Sequence, residues 1–269
     1  MCGITGIVLP GGQRPDRDTL AAMTARIAHR GPDGDGLALW DGCGFGHRRL
    51  SVVDLSDAAR QPMATDDARH LLTFNGEVYD YDALRDTLAD LGETLRSHSD
   101  TEALLLALRR WGTEALQRVH GMFAFGWWDA DARRLVLARD RFGKKPLYYA
   151  PLGDAAGRQG LVFASELRAL LAHPQVRDER TVDTVAVAQY LVHEYVPQPR
   201  SILANVRKLG PGEMLVWDEA HGLRIERYYS PRYGTRLRGN PDVLRDGLLA
   251  RVDRAVARRL VADVPVGVF

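Results

Sequence analysis

Met1-Cys2-Gly3-Ile4-Thr5-Gly6-Ile7-Val8 is the stretch from which the rest of the chain is best understood. Gly3 to Leu9 reads as a buried strand, which holds the start of the chain inside the fold. Cys2 stands directly behind Met1, so removal of Met1 would place a thiol and a free α-amino group on one residue. The ordinary pKa of such an amine, roughly 7.7–8.0, makes it a main-chain base near neutral pH. Thiols and hydroxyls paired with a chain-terminal amine are an established way of activating a nucleophile. A Cys at position 2 also occurs without any role, so other residues must complete a site.

Outward from that strand, short strands alternate with amphipathic helices, with no internal repeat and no low-complexity stretch. Leu20, Met23 and Ile27 predict a helix over 18–29. Strands are expected at 36–40, 44–50 and 70–74. Leu84, Leu88 and Leu91 mark a helix over 81–91, and Leu104, Leu108 and Trp111 another over 101–111. Met122–Trp128 and Arg134–Arg139 flank Asp129-Ala130-Asp131-Ala132 as a hairpin. Strands at 146–150 and 161–164 precede a short helix over 166–172 and a longer one over 182–194. Val196-Pro197-Gln198-Pro199-Arg200 is stiff and non-helical and suggests a boundary. One more hairpin is expected at 212–217 and 223–229. A helix follows, carrying Leu244, Leu248, Val252, Val256 and Leu260, whose other face, with Arg245, Arg251, Arg254 and Arg258, is read as solvated. The pattern argues for sheets packed on helices rather than a doubly wound parallel sheet. Ala262 to Phe269 reads as the beginning of a strand.

Bulk composition narrows the function classes. The 269 residues are 45% hydrophobic and 26% charged, as in ordinary globular proteins. Lys+Arg of 36 against Asp+Glu of 35 gives +1, so no global field favours nucleic acid or an anionic membrane. Two cysteines are no disulfide framework. With neither a signal-like start nor a membrane-length apolar run, a cytoplasmic protein is expected. Cys43, in a turn entering a strand, is read as a small packed hydrophobe.

Three further features point to chemistry, each with a competing explanation. Asn75-Gly76 offers a side-chain amide and an unobstructed backbone N–H, two donors suited to an oxyanion; Asn-Gly is equally the favoured pair of a tight hairpin turn. Arg49 presents a fork that fits a carboxylate, or else an ordinary surface ion pair. Asp100 follows Ser99 in a capping box with Glu102, so it either complements the helix dipole or supplies an anion for an ammonium group. Arg49 and Asp100 together would suit an amino acid.

Seven motifs between residues 2 and 149 stand in the order seen in glutamine-hydrolysing asparagine synthetases, and the resemblance runs from residue 2 to the chain end. They are Cys2-Gly3-Ile4, His29 to Gly34, Arg49 to Asp54, Phe74 to Tyr79, Ser99 to Glu102, Gly121 to Phe125, and Arg139 to Tyr149. The resemblance implies an α+β fold, a four-layer αββα N-terminal-nucleophile hydrolase sandwich of two antiparallel sheets, followed by a C-terminal helix and the start of a truncated synthetase domain. It places a class II glutamine amidotransferase domain at 2–218 and a linker with a synthetase fragment at 219–269. It further implies that Cys2 attacks the glutamine side-chain amide, forming a thioester, with Asn75 and Gly76 stabilising the oxyanion. Arg49 would hold the α-carboxylate, and Asp100 would face the α-ammonium. Val52, Val53, Gly76 and Glu77 would line the pocket. His29 to Gly34 and Arg139 to Tyr149 are taken as scaffold, with Arg30 near the pocket.

In the full-length family, the segment resembling Asp263-Val264-Pro265-Val266-Gly267-Val268 leads into a Ser-Gly-Gly-x-Asp-Ser loop that binds ATP. Here the sequence ends at Phe269. The chain is therefore expected to be the glutaminase half, with glutamine as substrate and the missing synthetase domain as ammonia acceptor. It is expected to need no metal or cofactor of its own, ATP and Mg²⁺ belonging to full-length relatives. Aspartate, another carboxylate acceptor, or a non-catalytic glutamine-binding or truncated fragment all remain open, as does a homodimer.

Overall fold

The computed structural model describes residues 1–153, 157–234 and 236–267. Strand β1 (Gly3–Val8) lies inside a sheet, with Gly3 opposite Arg48 and Val8 opposite Cys43 on one side and Thr5 opposite Ala164 on the other. The remaining strands are β2 (Gly34–Trp40), β3 (Cys43–Arg49), β4 (Met63–Ala64), β5 (His70–Tyr79), β6 (His120–Asp129), β7 (Arg134–Arg139), β8 (Tyr148–Gly153), β9 (Gln159–Ala164), β10 (Arg207–Lys208), β11 (Glu213–Asp218) and β12 (Gly222–Arg227). One six-stranded sheet has the order β10-β8-β9-β1-β3-β2 and the other β12-β11-β7-β6-β5-β4. The neighbouring pairs are antiparallel.

Alternation along each strand assigns its two faces. Ile4 and Val8 of β1, Leu71 of β5, Ala124 and Trp128 of β6, Leu135 and Leu137 of β7 and Phe163 of β9 share one apolar layer between the sheets. The opposite faces, with Leu72, Phe74, Phe123, Phe125 and Val136, pack on Leu104, Leu105 and Leu108. Those leucines belong to α3 (Asp100–Trp111), which lies beside α2 (Tyr81–Asp90) and α4 (Ala115–Arg118). On the other outer face, Ile7, Val162 and Ala164 meet Leu20, Met23, Ala169 and Leu170. These last belong to α1 (Arg17–Ala25), N-capped by Asp16, and to α5 (Leu167–Leu170). Helix, sheet, sheet, helix is the layering expected from the resemblance.

The chain beyond Arg200 returns to both sheets, through β10 on β8 and through β11 and β12. After α6 (Pro174–Asp178) and α7 (Thr184–His193), the last helix, α8 (Pro241–Ala257), has no buried residue, with Val243, Leu248, Leu249 and Val252 exposed. Several expectations need correction. β5 runs on past Phe74 to Tyr79, so Asn75-Gly76 sits inside a strand and not at a hairpin turn. The helix expected over 166–172 is a single turn. Residues 262–267 form no strand, and Val268 and Phe269 lie outside the described residues. Arg258 is not merely solvated but pairs with Asp80 at 3.0 Å.

Phe163 sets the spacing between the two sheets. Its ring packs edge-on against Phe45, centroids 5.4 Å apart. A Cβ on Gly6 would lie 2.2 Å from that ring, and one on Gly126, in the facing sheet, 2.5 Å. Gly6→Ala is therefore expected to lower stability by about 1–3 kcal/mol through overpacking. Combining it with Phe163→Leu should return part of that loss in urea denaturation.

Candidate functional site

Because β1 is fixed on both edges, Cys2 is held at the end of the first sheet. Ser165 Oγ accepts from Ile4 N–H at 3.0 Å, and Ser165 N–H donates to Ile4 C=O at 2.9 Å. Arg30 Nε donates to the Cys2 carbonyl at 2.9 Å, while Arg30 Nη1 reaches Glu166 Oε1 at 2.9 Å and His29 Nε2 lies 3.0 Å from the same oxygen. The thiol faces Leu50, with Sγ 3.4 Å from Leu50 N–H and 3.5 Å from Leu50 C=O. Burial pushes the Cys2 thiol pKa up, opposed by the Leu50 bond, the nearby chain amine and Lys145. Burial likewise pulls the Met1 amine below its ordinary value.

Cys2 opens onto a cavity of about 170 Å³ that also exposes Arg49, Val52, Val53, Asn75, Gly76, Glu77 and Asp100. That volume suits an amino acid better than the roughly 300–1,000 Å³ pockets that take larger ligands. The structure thus brings together every site residue singled out from the sequence. Asn75 is 1% exposed, yet neither its Nδ2 nor its Oδ1 has a hydrogen-bond partner among the described residues. A buried amide without partners is costly unless something else is to fill them.

The backbone beside Asn75 shows why a glycine follows it. Asp140 N–H donates to Phe123 C=O at 2.8 Å and Asp140 Oδ2 accepts from Phe123 N–H at 3.2 Å, so the polar groups of Phe123 point away from β5. Its β5 partner is Gly76, whose own N–H must then point away from β6. On that same edge, Phe74 N–H donates to Gln61 Oε1 at 2.7 Å and Val78 N–H to Asp100 Oδ2 at 2.9 Å. The Gly76 N–H between them opens onto the cavity. A Cβ here would lie 2.2 Å from Met122 O and 2.7 Å from Phe123 Cα, so glycine also lets β6 approach.

Among the described residues Arg49 has no ion-pair partner. Its Nη1 donates to Ser56 C=O at 3.0 Å and its Nη2 to Asp54 C=O, which fastens the loop after β3, and its other guanidinium N–H groups have no hydrogen-bond partner among the described residues. Ser99 caps α3 by accepting from Thr101 N–H at 3.1 Å. The reciprocal half of the expected capping box is absent, because the Glu102 carboxylate instead accepts from Arg96 N–H and from Ser97 N–H and Oγ. Asp100, 6% exposed, is pushed up to about 7 by burial, partly offset by the Val78 bond.

Sequence reasoning gave no pocket role to Gln61 and Lys145, nor to Ser99 and Thr101, all of which line the cavity. Gln61 bridges Phe74 N–H to Thr101 Oγ1, the latter at 3.2 Å. Lys145 came from a stretch read as scaffold. The Asp140 carboxylate, 1% exposed, accepts from the N–H groups of Phe123, Phe142, Lys144 and Lys145, and so folds the turn that delivers Lys145 to the cavity. Burial pulls its ammonium pKa down, while Glu77 and Cys2 pull it up. Glu77 in turn is raised by burial and lowered by Lys145. The signal in sequence was a lysine inside a motif without amphipathic period. Among the described residues no three His, Cys, Asp or Glu side chains converge as a metal site would need, and no helix is long and apolar enough to cross a membrane.

Comparison with known proteins adds the family context. The family described as a glutamine amidotransferase domain matches residues 1–229. Asparagine synthetase [glutamine-hydrolyzing] 1 of Bacillus subtilis is 34% identical over 272 residues, covering 100% of this chain and 42% of that protein. Amidase chry2 of Gibberella zeae is 31% identical over 286 residues, covering 100% and 40%. The chain thus spans less than half the length of these relatives. Among solved structures, glutamine phosphoribosylpyrophosphate amidotransferase of B. subtilis superposes with a TM-score of 0.63 at 20% identity, over 86% of this chain and 50% of that one. At that identity the likeness is one of fold.

Asp100 gives the site a measurable pH signature. Its pKa is raised on folding, so the stability it contributes is fully present below the ordinary 3.8, falls as the pH rises, and is gone above about 7. Asp100→Asn keeps an oxygen for the Val78 N–H and removes this titration. Its urea midpoint should gain on the wild type between pH 5 and pH 7.5; parallel profiles would contradict the assignment.

Proposed function

The chain belongs to the glutamine amidotransferase domain family, and from that premise we propose that it hydrolyses glutamine to glutamate and ammonia with Cys2 as nucleophile. The observation that carries this is the unpartnered Asn75 amide beside the open Gly76 N–H, facing the same small cavity as the Cys2 thiol. Removal of Met1 converts the Cys2 nitrogen from an amide to a free amine, able to take the thiol proton. The sulfur then attacks the side-chain amide carbon of glutamine, and Asn75 Nδ2 and Gly76 N–H stabilise the developing oxyanion. Collapse of that intermediate expels ammonia with the proton returned from the amine. Water cleaves the thioester to glutamate and restores the thiol.

The charges around the cavity fit the rest of an amino acid. Arg49 takes the α-carboxylate with the N–H groups its loop leaves free, and Asp100 takes the α-ammonium. An ammonium beside it favours the ionised carboxylate, so glutamine binding draws the Asp100 pKa back down. Glu77, Val52 and Val53 complete the wall. Lys145, near Cys2 and Glu77, offers a cation that favours the thiolate. Released ammonia passes, in a longer protein of the asparagine synthetase type, to an ATP-dependent conversion of aspartate to asparagine. ATP and Mg²⁺ belong to that acceptor chemistry, and no step here is routed through them.

Glutamate release from glutamine tests the proposal directly. Cys2→Ala should abolish it, and equal rates in variant and wild type would remove Cys2 from the mechanism. Intact mass of the active protein should lack Met1. Asn75→Ala should cost about 10²–10³ in kcat if the amide holds the oxyanion, whereas a rise confined to KM would assign it to binding alone.

A further inference from the structure

The loop that carries Val52 and Val53 has a tether from far along the chain. Asp263 N–H donates to the Val52 carbonyl at 2.9 Å, and the Asp263 carboxylate accepts from Asp54 N–H at 2.7 Å. These two bonds grip the peptide groups on either side of Val53, which lines the glutamine cavity. The same segment is seated by the Arg258–Asp80 ion pair at 3.0 Å and by the Arg259 guanidinium 4.5 Å above the Tyr79 ring. Tyr79 ends β5, the strand that presents Asn75 and Gly76, and Asp80 follows it at the start of α2.

Other anchors of the loop come from within residues 1–229. Asp54, at φ +50°, turns its side chain to Ser56 and to His98 N–H, the latter at 2.8 Å, and its carbonyl to Arg49. Val52 C=O and Asp54 N–H are gripped by Asp263. A non-glycine residue in the left-handed region holds there only where its surroundings over-determine it, and Asp263 supplies one of those constraints.

We infer that Asp263 is a positioning residue for the glutamine site, acting through Val52 and Asp54 on the cavity wall and on Arg49. Its effect on glutamine rests on the proposed glutaminase activity, whereas the tether itself does not. Coupling of this kind is reciprocal: a bound glutamine must strengthen docking of residues 258–263 by the factor with which that docking strengthens glutamine binding.

Two measurements on the whole chain decide it. In steady-state glutamate release, Asp263→Ala should raise KM for glutamine about tenfold, the worth of one good hydrogen bond, with kcat within about twofold. Asp263→Asn keeps an acceptor oxygen and should restore the wild-type KM. In amide hydrogen exchange without substrate, Asp263→Ala should speed exchange over residues 52–56, and Asp263→Asn should not. Unchanged exchange in Asp263→Ala, or an Asn variant as impaired as Ala, overturns the inference. A wild-type protein that releases no glutamate would instead sink the glutaminase proposal, with the exchange arm still deciding the tether.

Discussion

The pairing of β1 on both of its edges is the constraint on which the site depends. A chain end is ordinarily the least ordered part of a domain, and a nucleophile placed there would sample many positions. Here β3 and β9 enclose β1, and Ser165 brackets Ile4. Arg30 adds a bond to the carbonyl of Cys2 itself. The thiol is thereby carried on a rigid element, one residue from a strand buried along its full length. Holding reacting groups in the right geometry removes much of the entropic barrier to their reaction, and this sheet fixes where the thiol sits.

The second sheet brings the complementary half of the site. Phe163 fills the space between Gly6 and Gly126 and so sets how closely β1 and β6 approach. β5, paired to β6, then presents Asn75 and Gly76 at the cavity that Cys2 reaches. The cavity holds ionisable groups of both signs, Asp100 and Lys145 buried and Glu77 and Arg49 half-buried. Burial disfavours the charged form of Asp100, Glu77 and Lys145, raising the two carboxyl pKa values and lowering that of the ammonium. On the proposed function, a zwitterionic glutamine would supply the opposite charges that Arg49 and Asp100 call for.

Much of the fold was legible because alternation in the strands is unusually regular. Leu135 and Leu137 face one way and Val136 and Ala138 the other, and Trp128 and Trp127 divide likewise. The helices with a clear apolar stripe, α2 and α3, were found within a residue or two. What failed were short or irregular pieces: the two-residue strands β4 and β10, and the strand expected near Asp263, where apolar residues follow one another without the partner a strand needs. The extension of β5 through Asn75-Gly76 was hidden for another reason. That pair fits a turn by local chemistry, and only the ten-residue pairing with β6 overrides it.

The sequence by itself determined the layered α+β architecture, the family, and the identity of Cys2, Arg49, Asn75, Gly76 and Asp100 as a set, because hydrophobic period and motif order are local properties of the chain. Tertiary structure alone decided that the Asn75 amide has no partner among the described residues and that the Gly76 N–H points away from its ladder. It also decided that Lys145 reaches the cavity from a turn folded on Asp140, and that Asp263 grips a loop 209 residues earlier. These depend on which edge of a strand faces a neighbour and on contacts between distant segments. No local pattern encodes either, since both arise only when the two sheets and the chain's far end are packed together.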